Sequence, residues 1–260
     1  MADALYLPEG SGLVRPTELT RGPWDPSAQH GGAPAALLAG AVEGVASDGP
    51  MAVVRLTYEF LRPVPLAPLE LATRLVRPGR RVQLVEAVLR AAGNEVARVT
   101  ALRVRRDDVP APAAEPAPNP PRAPAESELL RMPADGPTSF ARDAMEIRFA
   151  AGTFWDVGPA FAWFRVRVPI LAGEPITQLQ RLAAAGDFGN GIGAAVSWGT
   201  HVFINPDLTI YAERPPDGDW VGLDAESRLV PDGTGVSDSV LYDERGRVGR
   251  AQQSLYVARR

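Results

Sequence analysis

Residues 183–193 read AAAGDFGNGIG, an aspartate set between three alanines and a run of glycines. Two chemistries want such a segment. One is a phosphate-cradling loop of the dinucleotide-binding type, which needs G-x-G-x-x-G directly after a strand and opening a helix. Here Gly189, Gly191 and Gly193 follow an apolar stretch with helical spacing, so that reading is set aside. The other is general-base catalysis by a carboxylate at the end of an apolar helix, where partial desolvation strengthens the base; it makes Asp187 the first candidate. The glycines are expected to carry the chain out of the helix toward the next strand, as glycine does at helix C-termini.

Few other side chains can do chemistry. Cysteine is absent, which removes thiolate nucleophiles, disulfides and cysteine metal sites, and only His30 and His201 offer imidazoles. Neither a metal nor a cofactor is expected. In QHGG, His30 and the backbone N–H groups of Gly31 and Gly32 stand at the start of a helix-patterned stretch, where they could bind a carbonyl or an oxyanion. The competing reading is a segment used for capping and close packing. His201, at a strand start, reads as structural or exposed. The aromatics of GTFWDVGPAFAWF (152–164) suit a core or an oligomer contact better than a ligand channel.

Composition excludes several classes. All 27 basic residues are arginines against 31 acidic ones, and a net charge of −4 disfavours a nucleic-acid partner. The N-terminus lacks the charged and apolar regions of a secretory signal and no apolar run reaches the length of a membrane span, so a cytoplasmic protein is expected.

The elements that must position these residues repeat. LTYEFLRP (56–63) lies over LTIYAERP (208–215), and VLRAAGNEVAR (88–98) over VLYDERGRVGR (240–250), both at an offset of 152 residues. Each half has a small-residue helix, expected over 31–46 and 175–188 with Pro175 at a first helical position. Alternating strands come next, expected over 53–62, 69–76, 81–91 and 95–106, then 201–213, 219–230, 234–243 and 247–258, with 160–170 a further strand ahead of the second helix. A connector crowded with proline and alanine (109–137) divides an N-terminal domain, 1–108, from a C-terminal one, 138–260. This pattern predicts an α+β fold.

The ordered set of QHGG, LAAAGDFGNG, the connector and the closing DERGRVGRAQQSLYVARR resembles the double-hotdog acyl-CoA thioesterase II family. The resemblance implies two tandem hotdog domains, each antiparallel sheet wrapped around a helix, and hydrolysis of acyl-CoA to free acid and CoA. It further implies that an aspartate, a hydroxyl residue and a glutamine hold the attacking water, and these fall on Asp187, Thr209 and Gln253. By analogy it also implies a homo-oligomer. Strand parity puts Gln253 on the apolar face with Ala251, Leu255 and Val257, and Gln252 on the other. The same parity places Thr209 away from Leu208 and Ile210, unless a bulge at Asn205 and Pro206 turns the strand. At the offset of 152, Asp187, Thr209 and Gln253 fall on Ala35, Thr57 and Ala101, which leaves the full set to the second half. Two alternatives stay open: a non-catalytic hotdog protein binding an acyl or carbonyl ligand, and an enoyl-CoA hydratase. The hydratase would want an Asp and His pair near one helix, and His30 lies in the other half.

Overall fold

The computed structural model describes residues 3–110 and 120–260, so the connector expected over 109–137 lies partly outside the described residues. The first half carries β1 (Tyr6–Gly10), β2 (Leu13–Pro16), α1 (Gly32–Glu43), β3 (Met51–Phe60), β4 (Leu69–Arg77), β5 (Val82–Ala91) and β6 (Asn94–Arg105). The second carries β7 (Glu128–Leu129), β8 (Met145–Ala151), β9 (Ala160–Val166), α2 (Gln178–Gly186), α3 (Gly189–Ile192) and β10 (His201–Ile204). It continues with β11 (Asp207–Ala212), β12 (Val221–Leu229), β13 (Thr234–Asp243) and β14 (Gly246–Arg259). Part of the expected connector joins the sheet: β7 pairs with β8, and Trp163 Nε1 donates to the Arg122 carbonyl at 2.8 Å. Among the described residues no helix is long and apolar enough to cross a membrane.

The strands form one antiparallel sheet in the order β1-β2-β4-β5-β6-β3-β11-β14-β13-β12-β9-β8-β7, with β10 also on β14. The order mirrors itself about β3 and β11. There Thr57 lies opposite Thr209, the two residues that the 152-residue offset equates, so a local two-fold passes between them. The hairpins obey the same offset: Leu89 faces Ala97 in the first, Leu241 faces Gly249 in the second, and each shifts register at the next residue. A third match lies in the central strands. β3 shifts register between Val53 and Arg55, and 152 residues on, the chain breaks between β10 and β11 at Asn205 and Pro206. Proline has no N–H to give a ladder, so there the bulge splits the strand outright.

The helices do not keep this offset. α1 would map onto residues 184–195, whereas α2 ends at Gly186, so Ala35 is not the counterpart of Asp187. α2 also starts later than expected, at Gln178. Thr177 caps it, accepting from Gln180 N–H at 3.2 Å while Gln180 Oε1 accepts from Thr177 N–H at 2.9 Å, and this reciprocal pair leaves Pro175 outside the helix. α1 is built of small residues and buried over most of its length, which lets α2 come close: a Cβ on Gly32 would stand 2.7 Å from the Ala184 carbonyl oxygen.

The β13–β14 hairpin is tied down by Asp243, whose side chain is fully buried. It pairs with Arg214 and accepts from the backbone N–H groups of Asp217 at 2.8 Å and Arg245 at 2.9 Å. Burial alone would raise the carboxyl pKa, but the bonds from Arg214 and the two N–H groups outweigh it and hold it below its ordinary value. A depressed folded-state pKa stabilises the fold above the unfolded value of about 4, and the contribution is lost as pH falls through the folded value. Asp243→Asn is therefore expected to cost about 3 kcal/mol at neutral pH, where Arg214 is left without its partner, and much less in strong acid, below the folded-state value. Urea unfolding of both proteins at the two pH values measures the difference.

Candidate active site

Asp187 lies at the junction of α2 and α3, in helical conformation and only 4% exposed. The chain does not turn away here as the glycine run suggested. Phe188 N–H bonds back to Ala185 and α3 begins at once, and neither Gly186 nor Gly189 has a positive φ. The glycines serve close approach instead. A Cβ on Gly189 would fall 2.5 Å from Ser239 Oγ and 2.9 Å from Gln253 Oε1, and one on Gly186 would fall 2.9 Å from Ile210 Cδ1. Absent side chains thus let the α2–α3 junction settle onto β11, β13 and β14.

Gln253 faces inward, buried beside Ala251 and Leu255, while Gln252 is exposed. Its Oε1 accepts the Asn190 N–H at 2.9 Å, which orients the amide so that Nε2 approaches the Asp187 carbonyl at 3.2 Å and Oδ1 at 3.4 Å. The bulge turns Asn205 inward to the same carboxylate. Asn205 Nδ2 donates to Asp187 Oδ1 at 2.8 Å and to the Asp207 carbonyl at 3.1 Å, and Asn190 Nδ2 reaches Asn205 Oδ1 at 3.5 Å.

Thr209 is not brought to this cluster. Its partner on β14 is Gln252, the outward residue, and the flanking Leu208 and Ile210 are the buried ones, with Ile210 against Gly186. The bulge that could have turned Thr209 inward exists, but it lies upstream and gives the inward position to Asn205. Sequence reasoning passed over Asn205; the signal was the Asn-Pro pair interrupting a strand.

The first half supplies the remaining contacts. His30 Nδ1 stands 3.1 Å from Asp187 Oδ2 and 3.0 Å from the Gly32 N–H. One nitrogen cannot satisfy both at once: the contact with the carboxylate needs a proton between them, and the contact with Gly32 needs a free lone pair. Gly31 lies close against the carboxylate, since a Cβ there would lie 2.7 Å from Oδ2 and 3.0 Å from Oδ1. With Gly32 N–H directed at the His30 ring, the Gly31 N–H has no acceptor among the described residues. The negative charge is felt nearby: burial, and then the Asp187 carboxylate, push the Tyr58 hydroxyl well above its ordinary pKa, and it donates to the Ala35 carbonyl at 3.1 Å. The Asp and His pair that the separate halves argued against is therefore present, built across their junction. His201, by contrast, contacts Thr200 at the end of the sheet.

Two similar half sheets, each with its helix on the inward face and joined through their central strands, define a double-hotdog protein. Solved structures agree at low sequence identity. A hotdog-fold protein from Alicyclobacillus acidocaldarius is 17% identical with a TM-score of 0.76, covering 98% of this chain and 97% of its own. A candidate thioesterase II from Thermobifida fusca YX is 19% identical with a TM-score of 0.74, covering 99% and 96%. An acyl-CoA thioesterase II from Mycobacterium marinum is 16% identical with a TM-score of 0.66, covering 98% and 95%. Among curated proteins no sequence matches. The acyl-CoA thioesterase N-terminal domain family matches residues 20–104 and the acyl-CoA thioesterase C-terminal domain family matches residues 111–257. The chain belongs to the acyl-CoA thioesterase family, and it is a thioester hydrolase.

Gly31→Ala tests how closely the two halves must meet. The added methyl is expected to displace the Asp187 carboxylate by up to an ångström while α1 persists, lowering kcat about 100-fold with little change in the unfolding transition.

Proposed function

We propose that the chain hydrolyses acyl-CoA thioesters with Asp187 as the general base for water. The observation that carries this reading is a buried carboxylate fixed by Asn205 and Gln253 from one half and His30 from the other. A thioester needs an oriented water, a base and a donor for the oxyanion. The water oxygen bonds to the carbonyl carbon as Asp187 takes its proton. The carbonyl oxygen, gaining charge, faces the Gly31 N–H at the N-terminus of α1. The C–S bond then breaks, the acid forms, and the CoA thiolate recovers the proton from Asp187. Asn205 takes the positioning part assigned by resemblance to Thr209, and His30 orients Oδ2.

The contact between His30 and Asp187 also suits a hydratase, which adds water across the double bond of an enoyl-CoA. Supplying saturated and enoyl-CoAs with a thiol-detecting reagent separates the two. Thiol release from saturated acyl-CoAs is expected, and Asp187→Asn is expected to lower kcat by about 10²–10⁴-fold with thermal stability retained. Wild-type turnover in Asp187→Asn, or loss of the enoyl group with no thiol released from any substrate, would sink the proposal.

A further inference from the structure

Asp187 has two flanks of different character. On one, His30 lies 4.4 Å from Phe188 and 5.1 Å from Phe140, with Phe164 4.6 Å behind Phe188. These phenylalanines are buried members of the main core, and nothing can enter there without breaking it. Asn205, on the other, follows the buried Phe203 by two residues. Trp198 meets Phe203 edge-on at 4.6 Å and Trp24 at 5.2 Å, and the two indoles stack at 4.8 Å. Phe154 stacks on Trp198 at 5.4 Å, and Trp155, 62% exposed, stands edge-on to Phe154 at 5.0 Å. The rings form an unbroken stripe from Phe203 to solvent.

Two features make this stripe able to open. Trp24, Trp198 and Phe154 sit on three irregular segments, before α1, between α3 and β10, and between β8 and β9, so their rings can separate without breaking a ladder. Trp198 Nε1 is also buried with no acceptor among the described residues. A buried donor without a partner weakens the closed packing, and it regains an acceptor once the ring swings toward water. Trp198 rests against α3, its Cζ2 3.5 Å from where a Cβ of Gly191 would be, next to the Asn190 whose N–H holds Gln253.

We infer that Trp198 gates the acyl subsite, and that with Trp24, Phe203 and Phe154 it forms the wall against which the acyl group lies when the thioester carbonyl reaches Asp187. The inference rests on the thioesterase reading. Stacked indoles accept a flat aryl or arylacetyl group, or a short aliphatic one, by parting slightly. A long straight chain requires the whole stripe to open, so the wall selects compact acyl groups.

The test measures kcat/KM for hexanoyl, phenylacetyl and hexadecanoyl thioesters, each as the CoA ester and as the truncated N-acetylcysteamine ester. Trp198→Ala is expected to raise the hexadecanoyl to hexanoyl ratio by about tenfold or more with both leaving groups, and Trp198→Phe to stay near the wild-type ratio. An unchanged ratio in folded Trp198→Ala overturns the inference. So does a change confined to CoA esters, which would assign the stripe to the CoA arm. Trp24→Ala, expected to act in the same direction, serves if Trp198→Ala does not fold. Binding of the free acids, followed by quenching of the remaining indole fluorescence, needs no turnover. If wild type releases no thiol yet Trp198→Ala shifts acid affinities toward the longer chain, hydrolysis fails as a reading and the subsite stands; without that shift the subsite falls too.

Discussion

β3 and β11 pair antiparallel with Thr57 against Thr209, and the rest of the molecule is arranged about that contact. The pairing merges two half sheets into one, so the inward faces of both halves lie on the same side and their helices must share it. α1 and α2 therefore pack on one another, and the residues just before α1 meet those just after α2. His30 and Asp187 are neighbours for this reason, although 157 residues separate them in sequence. The constraint is steric as much as topological: at Gly31, Gly32, Gly186 and Gly189 a single added carbon would collide with the opposing element.

A buried carboxylate is costly unless its oxygens are satisfied; Asp187 Oδ1 accepts from the amides of Asn205 and Gln253, and His30 stands beside Oδ2. Asn205 and Gln253 share Oδ1, and each is itself oriented by Asn190, one through its side chain and one through its backbone. Such a network is worth most when complete, because a missing member leaves an unpaired polar group in a low-dielectric setting. The core around it is correspondingly rigid, with His30 held among phenylalanines. The proposed catalytic geometry and the packing are here the same set of contacts.

The duplicated hairpins were legible because hairpin register is fixed locally by turn and alternation, and the offset of 152 survives in the structure down to the bulges. Gln253 was legible by parity, since it interrupts an apolar strand face. Thr209 was assigned by resemblance against its own parity, and parity proved the better guide. Asn205 was hidden because its orientation depends on a one-residue slip that alternation does not reveal. The helix comparison failed for a related reason: helices are joined to the sheet by loops, and loops absorb insertions that hydrogen-bonded strands cannot. The contact between His30 and Asp187 could not be read at all without knowing that the two central strands pair.

The local two-fold at Thr57 and Thr209 relates halves that are covalently one chain, and that changes what symmetry can demand. In an assembly of identical subunits, every substitution appears on both sides of the axis. Here the mirror positions of Gln253 and Asn205 are Ala101 and Val53, apolar residues that need no ligand. Each side can specialise independently, one supplying the carboxylate and its amides, the other the imidazole and glycines. Because both sides are tethered, their meeting is a unimolecular event, and the completeness of the site does not depend on how dilute the protein becomes.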